Sequence, residues 1–562
     1  MNKDQSTYFL KRAFILGLLI IAFGSTVKSQ KMTIVTTGPF TPILYDAFKQ
    51  NENPKINDTV VKKPELTYTI NPKLYQTTFT VEPIKAAKIG GDPLVKFYKS
   101  YIRAGFGTKT TPYGEFYFNN LRSTEQSIGF YFRHISSSGK IKNYAFPGYS
   151  DNEAAIYASK FYKNHALTGS VDYNRNVVHY YGFNPAENPG ISNDSIKQRF
   201  SNVAGQIGFK STYRDSSKVN HSFFLRYSNL SDFYLADESE ILFKSAIDKK
   251  VKFLGKSINS QDLGLVANVD YFNDRTGVDT SWGAVVKLLP HFSASYDVLK
   301  FDIGCNVFIK AADETKVKPF PDLKLDVNLY NNVFILYARL TNDMERNSLR
   351  SFSSENPFVN TAFPGFEFTH TEMKFTGGFK GCLGSELSFN ANVTQSKIDK
   401  LPLFVNDTTS KLMNKFLVIY DNASILNSHI EITYQKSEKF NAMLILNYNK
   451  YTMHTEKYAW HKPNSDVKFV FTYNLKDKII LKADVFAYSS TYAKTFSEGL
   501  NPTVIPVKLK GAADFNLGLE YRYSKILSAF LNFNNIAAEN YKQWYRYPSY
   551  GFNVLGGVTY AF

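Results

Sequence analysis

Ser549-Tyr550-Gly551-Phe552-Asn553-Val554-Leu555-Gly556-Gly557-Val558-Thr559-Tyr560-Ala561-Phe562 is the end of the chain, and its reading decides the fold. Tyr550, Phe552, Val554, Gly556, Val558, Tyr560 and Phe562 share one parity. Ser549, Gly551, Asn553, Leu555, Gly557, Thr559 and Ala561 share the other. Successive side chains of a β-strand point to opposite faces, so one face is apolar with aromatic ends and the other is mostly small or polar. A strand between lipid and a wet interior has that pattern.

The alternation continues upstream. Phe515, Leu517, Leu519, Tyr521 and Tyr523 oppose Asp514, Asn516, Gly518, Glu520 and Arg522. Val467, Phe469, Phe471 and Tyr473 oppose Lys468, Val470, Thr472 and Asn474. Tyr448, Tyr473 and Tyr523 each end an apolar face, where a ring at headgroup level keeps its hydroxyl wet. Tight turns at 435–439, 474–478 and 523–525 alternate with long polar stretches at 342–368, 395–414, 452–463 and 489–509. Backbone groups in hydrocarbon must all be paired, so such strands have to close on themselves. A soluble sandwich also alternates. It does not call for strands of about 9–11 residues joined by turns and loops in strict alternation.

The reading is therefore all-β, an antiparallel transmembrane β-barrel of about 20–22 strands over residues 95–562. Strand starts run from Tyr101 to Tyr550 and number 21, with separate starts at Lys415 and Leu426. Single-chain bacterial barrels have an even count. The amphipathic run from Ile241 to Phe253 is the natural addition. A lumen this wide needs a filling, for which Glu153 to His165, the 181–198 stretch, the N-terminal segment or a partner are candidates.

The N-terminus has a different character. Lys11-Arg12 precede the apolar run Ala13 to Phe23, then Gly24-Ser25-Thr26-Val27-Lys28-Ser29-Gln30. A basic stretch, a short apolar stretch and small residues mark a signal peptide over residues 1–29, with cleavage after Ser29. Residues 30–94 carry Pro39, Pro42, Pro54, Pro64, Pro72, Pro83 and Pro93 and read as a short extended periplasmic arm or vestigial plug. Composition agrees with export to a membrane. Aromatic residues make up 16% of the chain, with 48 Phe and 38 Tyr against 3 Trp. The two cysteines exclude a disulfide scaffold. Cys305 has the parity of its apolar neighbours and is expected to face lipid, and Cys382 is expected in a turn. The formal charge is +17, but Lys and Arg are scattered rather than gathered in a block, so nucleic acid is not the expected partner. Lipopolysaccharide phosphates or an anionic partner are the expected counter-charges.

No nucleophile elbow, Walker loop or CxxC occurs, and no catalytic, cofactor or metal site is assigned. Two His-x-Glu pairs, His429/Glu431 and His370/Glu372, have the spacing that puts both side chains on one strand face. His429 and Glu431 have lumen parity and could hold a metal, pass a proton, or simply hydrogen-bond in a wet interior. Lys482 with Asp484, and Glu520 with Arg522, share that parity as wall ladders or as part of a substrate path.

Phe533-Asn534-Asn535-Ile536, Tyr541, Tyr547-Pro548, Gly551 and the terminal Tyr560-Ala561-Phe562 resemble the end of TonB-dependent receptors. That family commonly has an Asn-Leu-Phe-like turn, a nearby Tyr, a Pro, a Gly-Arg pair and a terminal aromatic strand. Phe552 stands where the Arg is usual. Together with Pro112 to Ser123, the chain resembles the TonB-dependent receptor-like proteins of the Bacteroidota. The resemblance implies transport of a small nutrient across the outer membrane. It also makes Tyr560 and Phe562 the signal read by the barrel-assembly machinery. Met32-Thr33-Ile34-Val35-Thr36 resembles a TonB box, the segment that pairs with TonB by strand addition. Family members carry a plug of well over a hundred residues, and with only residues 30–94 between the signal peptide and the first strand, little or no plug is expected here. The other reading is a non-transporting barrel that scaffolds a periplasmic or surface companion.

Overall fold

The computed structural model describes residues 97–562, except residues 122, 214–216, 253–254, 256–257, 259, 278–279, 312–315, 363–364 and 497–502. The expected signal peptide, the arm and Met32–Thr36 lie outside the described residues. Among those described, 22 strands form one antiparallel sheet whose neighbours follow chain order. The first strand, Ser100–Gly107, pairs with the last, Asn553–Ala561, and the ring closes. The closing rung uses the chain's final residue. Ser100 N–H donates to the Phe562 carbonyl at 2.9 Å, and Phe562 N–H donates to the Ser100 carbonyl at 2.9 Å.

The expected faces are borne out. Val558, Tyr560 and Phe562 are 54%, 45% and 51% exposed on the outside, whereas Leu555 and Thr559 are buried on the inside. The outward apolar band continues through Leu519 and Tyr521, Val467 and Tyr473, and Ile430 and Ile432. Such a band suits acyl chains. Cys305 lies outward with Ile303, in the strand Leu299–Ala311. Cys382 is not in a turn. It occupies the end of the strand Phe368–Leu383, paired with Ser388.

The strand count of 22 comes from three adjustments. The strand at Asp237–Lys250 is the added one. Lys415 and Leu426 begin no separate strands, because Phe416–Lys436 is one strand of 21 residues. Tyr149–Phe161 is a strand and not a loop inside the lumen. Its outward residues are Asn152, Ala154, Ile156, Ala158 and Lys160, so only Ile156 offers a large apolar side chain to the pattern.

Most connections at one rim are short turns, and the longest loops, 138–148, 180–196, 347–367, 489–511 and 535–552, all lie at the other, beside short ones such as 108–110 and 232–236. Ser100 and Phe562 both lie at the short-turn rim, which is the periplasmic side in barrels of this type. Several stretches read as loops carry regular structure. Residues 395–406 continue the strand Leu387–Asn406. The 489–509 stretch folds into a hairpin of Thr491–Phe496 and Val504–Leu509. Within 342–368 lies the helix α1, Leu349–Glu355, whose N-cap Ser348 accepts from Ser351 N–H in a capping box.

Candidate functional site

The long loops gather over their mouth of the barrel and make a dry core there. Phe352, Val359, Phe404, Phe416, Trp544 and Tyr547 form one buried cluster. Leu401, Leu403, Val405, Ala423 and Trp460 form a second. Ala145, Tyr180, Phe183 and Ile196 form a third. Each large apolar side chain withdrawn from water in this way contributes about 2 kcal/mol to holding the loops together.

These contacts cross the mouth. Tyr180 follows the fifth strand, His165–His179, and Asn414 precedes the sixteenth, Phe416–Lys436. In a ring of 22 the loops that carry them rise from nearly opposite sides. Yet the Asn414 side-chain amide donates to the Tyr180 carbonyl at 2.6 Å. Tyr180 Oη donates to the Val359 carbonyl at 3.1 Å, and Tyr181 Oη to the Pro548 carbonyl at 2.9 Å. Tyr547 Oη donates to the Asn414 carbonyl, and its ring stacks on Phe358 at 3.7 Å between centroids. Burial holds the Tyr180 and Tyr547 hydroxyls well above the ordinary phenol value, so they stay protonated donors. The 181–198 stretch, expected as an inward loop, contributes Tyr181 and Phe183 to this cap.

Two further anchors tie the cap to the wall. Arg346 binds Asp274 through two contacts of 3.1 and 2.8 Å and Glu238 at 3.2 Å. Glu238 also accepts the Arg350 N–H at 3.1 Å, at the start of α1. All of Glu238, Asp274 and the Arg346 side chain are buried. On the other side of the cap, the His461 Nδ1–H donates to the Phe404 carbonyl at 3.1 Å. Its Nε2 accepts the Tyr545 N–H at 3.3 Å. The neutral ring is fully satisfied. A second proton would meet a donor, and burial lowers the His461 pKa to about 4.

Below the cap the inner wall is polar. His429 and Glu431 lie on the inner face as read. The His429 Nδ1–H donates to Asn447 Oδ1 at 2.7 Å, and the Asn447 amide donates to Asp466 at 2.8 Å. Glu431 stands 3.7 Å from His429 Nε2. The second pair is not a pair. A bulge between Thr371 and Met373 breaks the alternation, so His370 packs inward on Phe320 while Glu372 binds Lys397 at 2.6 Å. Among the described residues, no three His, Cys, Asp or Glu side chains gather as metal ligands. Glu520 and Arg522 meet at 3.5 Å, with Ser528 Oγ donating to Glu520 at 3.1 Å. Lys482 and Asp484 face the same lumen but make no ion pair with each other. Tyr560 and Phe562 lie outside and stack at 5.6 Å.

Reading parity alone missed a polar recess of ≈ 620 Å³ in the inner wall, lined by Tyr337, Arg339, Lys374, Lys380, Asn392 and Thr394 among others. Its signal in the sequence is the run of polar inner positions Asn390, Asn392, Thr394 and Ser396 beside Lys374, Thr376 and Lys380.

No family model matches the sequence, and no curated protein is similar to it. Solved structures do match the fold. The pyoverdine-bound FpvA of P. aeruginosa aligns with a TM-score of 0.63 at 11% identity, over 83% of this chain and 72% of that one. The siderophore receptor PirA of Acinetobacter baumannii gives 0.62 at 9%, over 83% and 81%. The FrpB iron transporter of Neisseria meningitidis gives 0.62 at 9%, over 84% and 82%. At these identities the likeness is one of fold.

Proposed function

We propose that this protein is an outer-membrane receptor that binds a small nutrient and passes it through the barrel. The observation that carries the reading is the combination of a locked mouth with a polar wall beneath it. An open diffusion pore needs no loops bonded across its mouth, as Asn414 is to Tyr180. A purely structural barrel needs no charged recess inside. A receptor that admits solute only after binding uses both. The matched siderophore receptors and iron transporter support the same direction, as does the resemblance of the C-terminal strand. In this reading residues 1–29 direct export and Tyr560 and Phe562 present the chain to the barrel-assembly machinery. Lipopolysaccharide surrounds the outer leaflet, and Met32–Thr36 engages TonB. No catalytic role is assigned.

Deleting residues 31–94 separates this from the scaffold reading. In proteoliposomes the intact protein should resist swelling in small sugars, and a transporter gated by the arm should become leaky. A scaffold should stay closed and lose a companion that otherwise co-purifies from membranes. Free swelling of the intact protein would sink the gated reading.

A further inference from the structure

The recess in the inner wall has a chemistry that the fold alone does not specify. Four neighbouring strands, Phe334–Arg346, Phe368–Leu383, Leu387–Asn406 and Phe416–Lys436, supply its lining. Cross-strand register places Arg339 opposite Thr376, Thr376 opposite Thr394, and Thr394 opposite Asn427. Lys374 lies opposite Ser396. These are fixed wall positions, so the polar groups are held by the ladder rather than by a loop.

Charge is unbalanced here. Arg339 and Lys380 share one carboxylate, Asp326, at 3.4 and 2.9 Å. Lys374 is exposed to the recess with no carboxylate bound. Glu431 lines an adjoining recess beside Lys380, and an excess of positive charge remains even with it. The rest of the lining is amide and hydroxyl, with the His429 imidazole at its edge bonded to Asn447. Thr376 and Thr394 bond each other at 2.9 Å, and the Asn427 amide donates to Asn449 at 2.8 Å. Amides and hydroxyls both donate and accept, so they suit ligand hydroxyls.

The lining offers no Phe or Trp face for stacking. Besides the His429 imidazole, its ring is Tyr337, which is buried and lies 5.1 Å from the Arg339 guanidinium and 5.3 Å from the Lys380 ammonium. Its hydroxyl donates to Asn390 at 2.7 Å. The ring therefore sets the two cations and has no face for a ligand. The volume fits a molecule of one or two sugar rings, within the range of small-molecule sites.

We infer that this recess binds an acidic sugar, a polyhydroxylated body with one carboxylate or phosphate that meets Lys374, beyond Arg339 at the end of the recess away from Lys380. The inference rests on the receptor reading and names its substrate class. Glucuronate, glucose 6-phosphate and glucose are the probes, titrated calorimetrically into the intact protein in detergent. Either acidic probe should bind at least about tenfold more tightly than glucose, the effect of one charge-assisted contact. The stronger of the two identifies the acid group. Lys374→Met should remove that preference, and Lys374→Arg should retain it. Lys482→Met, a lumen cation outside the recess, should leave it intact. Heat-modifiable migration on gels confirms that each variant is a folded barrel. Equal binding of glucose and both acids, no effect of Lys374→Met, or the same loss from Lys482→Met would each overturn the inference. Flux of the acidic probes in proteoliposomes is read separately. Selective binding without flux sinks the transport reading and leaves the site standing. Flux without selective binding does the reverse.

Discussion

At the short-turn rim, Lys476 and Asp477 reverse the chain with φ of 51° and 55°, and Asn331 and Asn332 do so with 36° and 63°. At the other mouth, Tyr547 stacks on Phe358 and bonds Asn414 in a core built from four loops and the strand ends that carry them. The first rim spends only enough residues to keep the twist of adjoining strands, which positive-φ pairs match. The second is a packed structure in its own right, with buried rings, a buried ion cluster and a neutral histidine. The barrel wall between them faces outward with exposed apolar side chains that only a bilayer would cover. Strand pairing holds the wall, whereas burial from water holds the cap. The two should therefore fail independently.

The sharpest way to break that contrast is Glu238→Ala. It leaves Arg346 with Asp274 alone and Arg350 with Ser228 alone, and removing one partner of a buried pair costs about 3–5 kcal/mol, less what the remaining partners retain. Proteolysis should then open in the 347–367 loop while heat-modifiable migration of the barrel persists. Loss of both would show that the cap and wall are one cooperative unit.

Acid gives the next effect. The folded pKa of His461 is about 4, below the ordinary value of about 6.5. The unfolded cap therefore binds more protons in that window, and stability present above about 6.5 is lost as pH falls towards 4, by on the order of 3 kcal/mol. Trp460 and Trp544 are buried in the cap, whereas Trp282 is exposed outside. Fluorescence of a Trp282→Phe protein should report cap loosening over this range, and His461→Gln should flatten the dependence. A profile unchanged by His461→Gln would assign the pH response elsewhere.

Tyr547→Phe keeps the ring and removes one hydroxyl bond across the mouth, for about 1 kcal/mol. Amide exchange in residues 407–415 should quicken, with exchange in the strand Asn553–Ala561 unaffected. The smallest effect belongs to the short rim. Asp477→Gly relieves positive φ in a tight turn and should stabilise by under about 1 kcal/mol. A loosened cap in that variant would contradict the independence of the two ends.

Alternation located most of the wall because lipid on one side and water on the other act on every second residue. It failed where those forces are weak or extend too far. Tyr149–Phe161 shows only Ile156 as a large outward apolar residue. Phe416–Lys436 outruns the bilayer, so a length expectation of about 9–11 residues cut it in two. His370 and Glu372 looked like a pair because a bulge leaves no mark on spacing. His429 and Glu431 share one face, since no bulge intervenes between them. The recess was only half visible, as a run of polar inner positions whose depth depends on the neighbouring strands.

Sidedness, strand pairing order and the terminal closing strand follow from the sequence by itself, because each depends on a residue and its immediate neighbours in the chain. The cap was decided only in three dimensions. Tyr180, Asn414 and Tyr547 are separated by more than a hundred residues from one another, and nothing local tells that they share one core. Lys374 likewise became a binding feature only once Asp326 was seen to be occupied by Arg339 and Lys380, leaving one ammonium without a carboxylate. Pattern fixes which way a side chain points, but closure of the ring fixes what it meets.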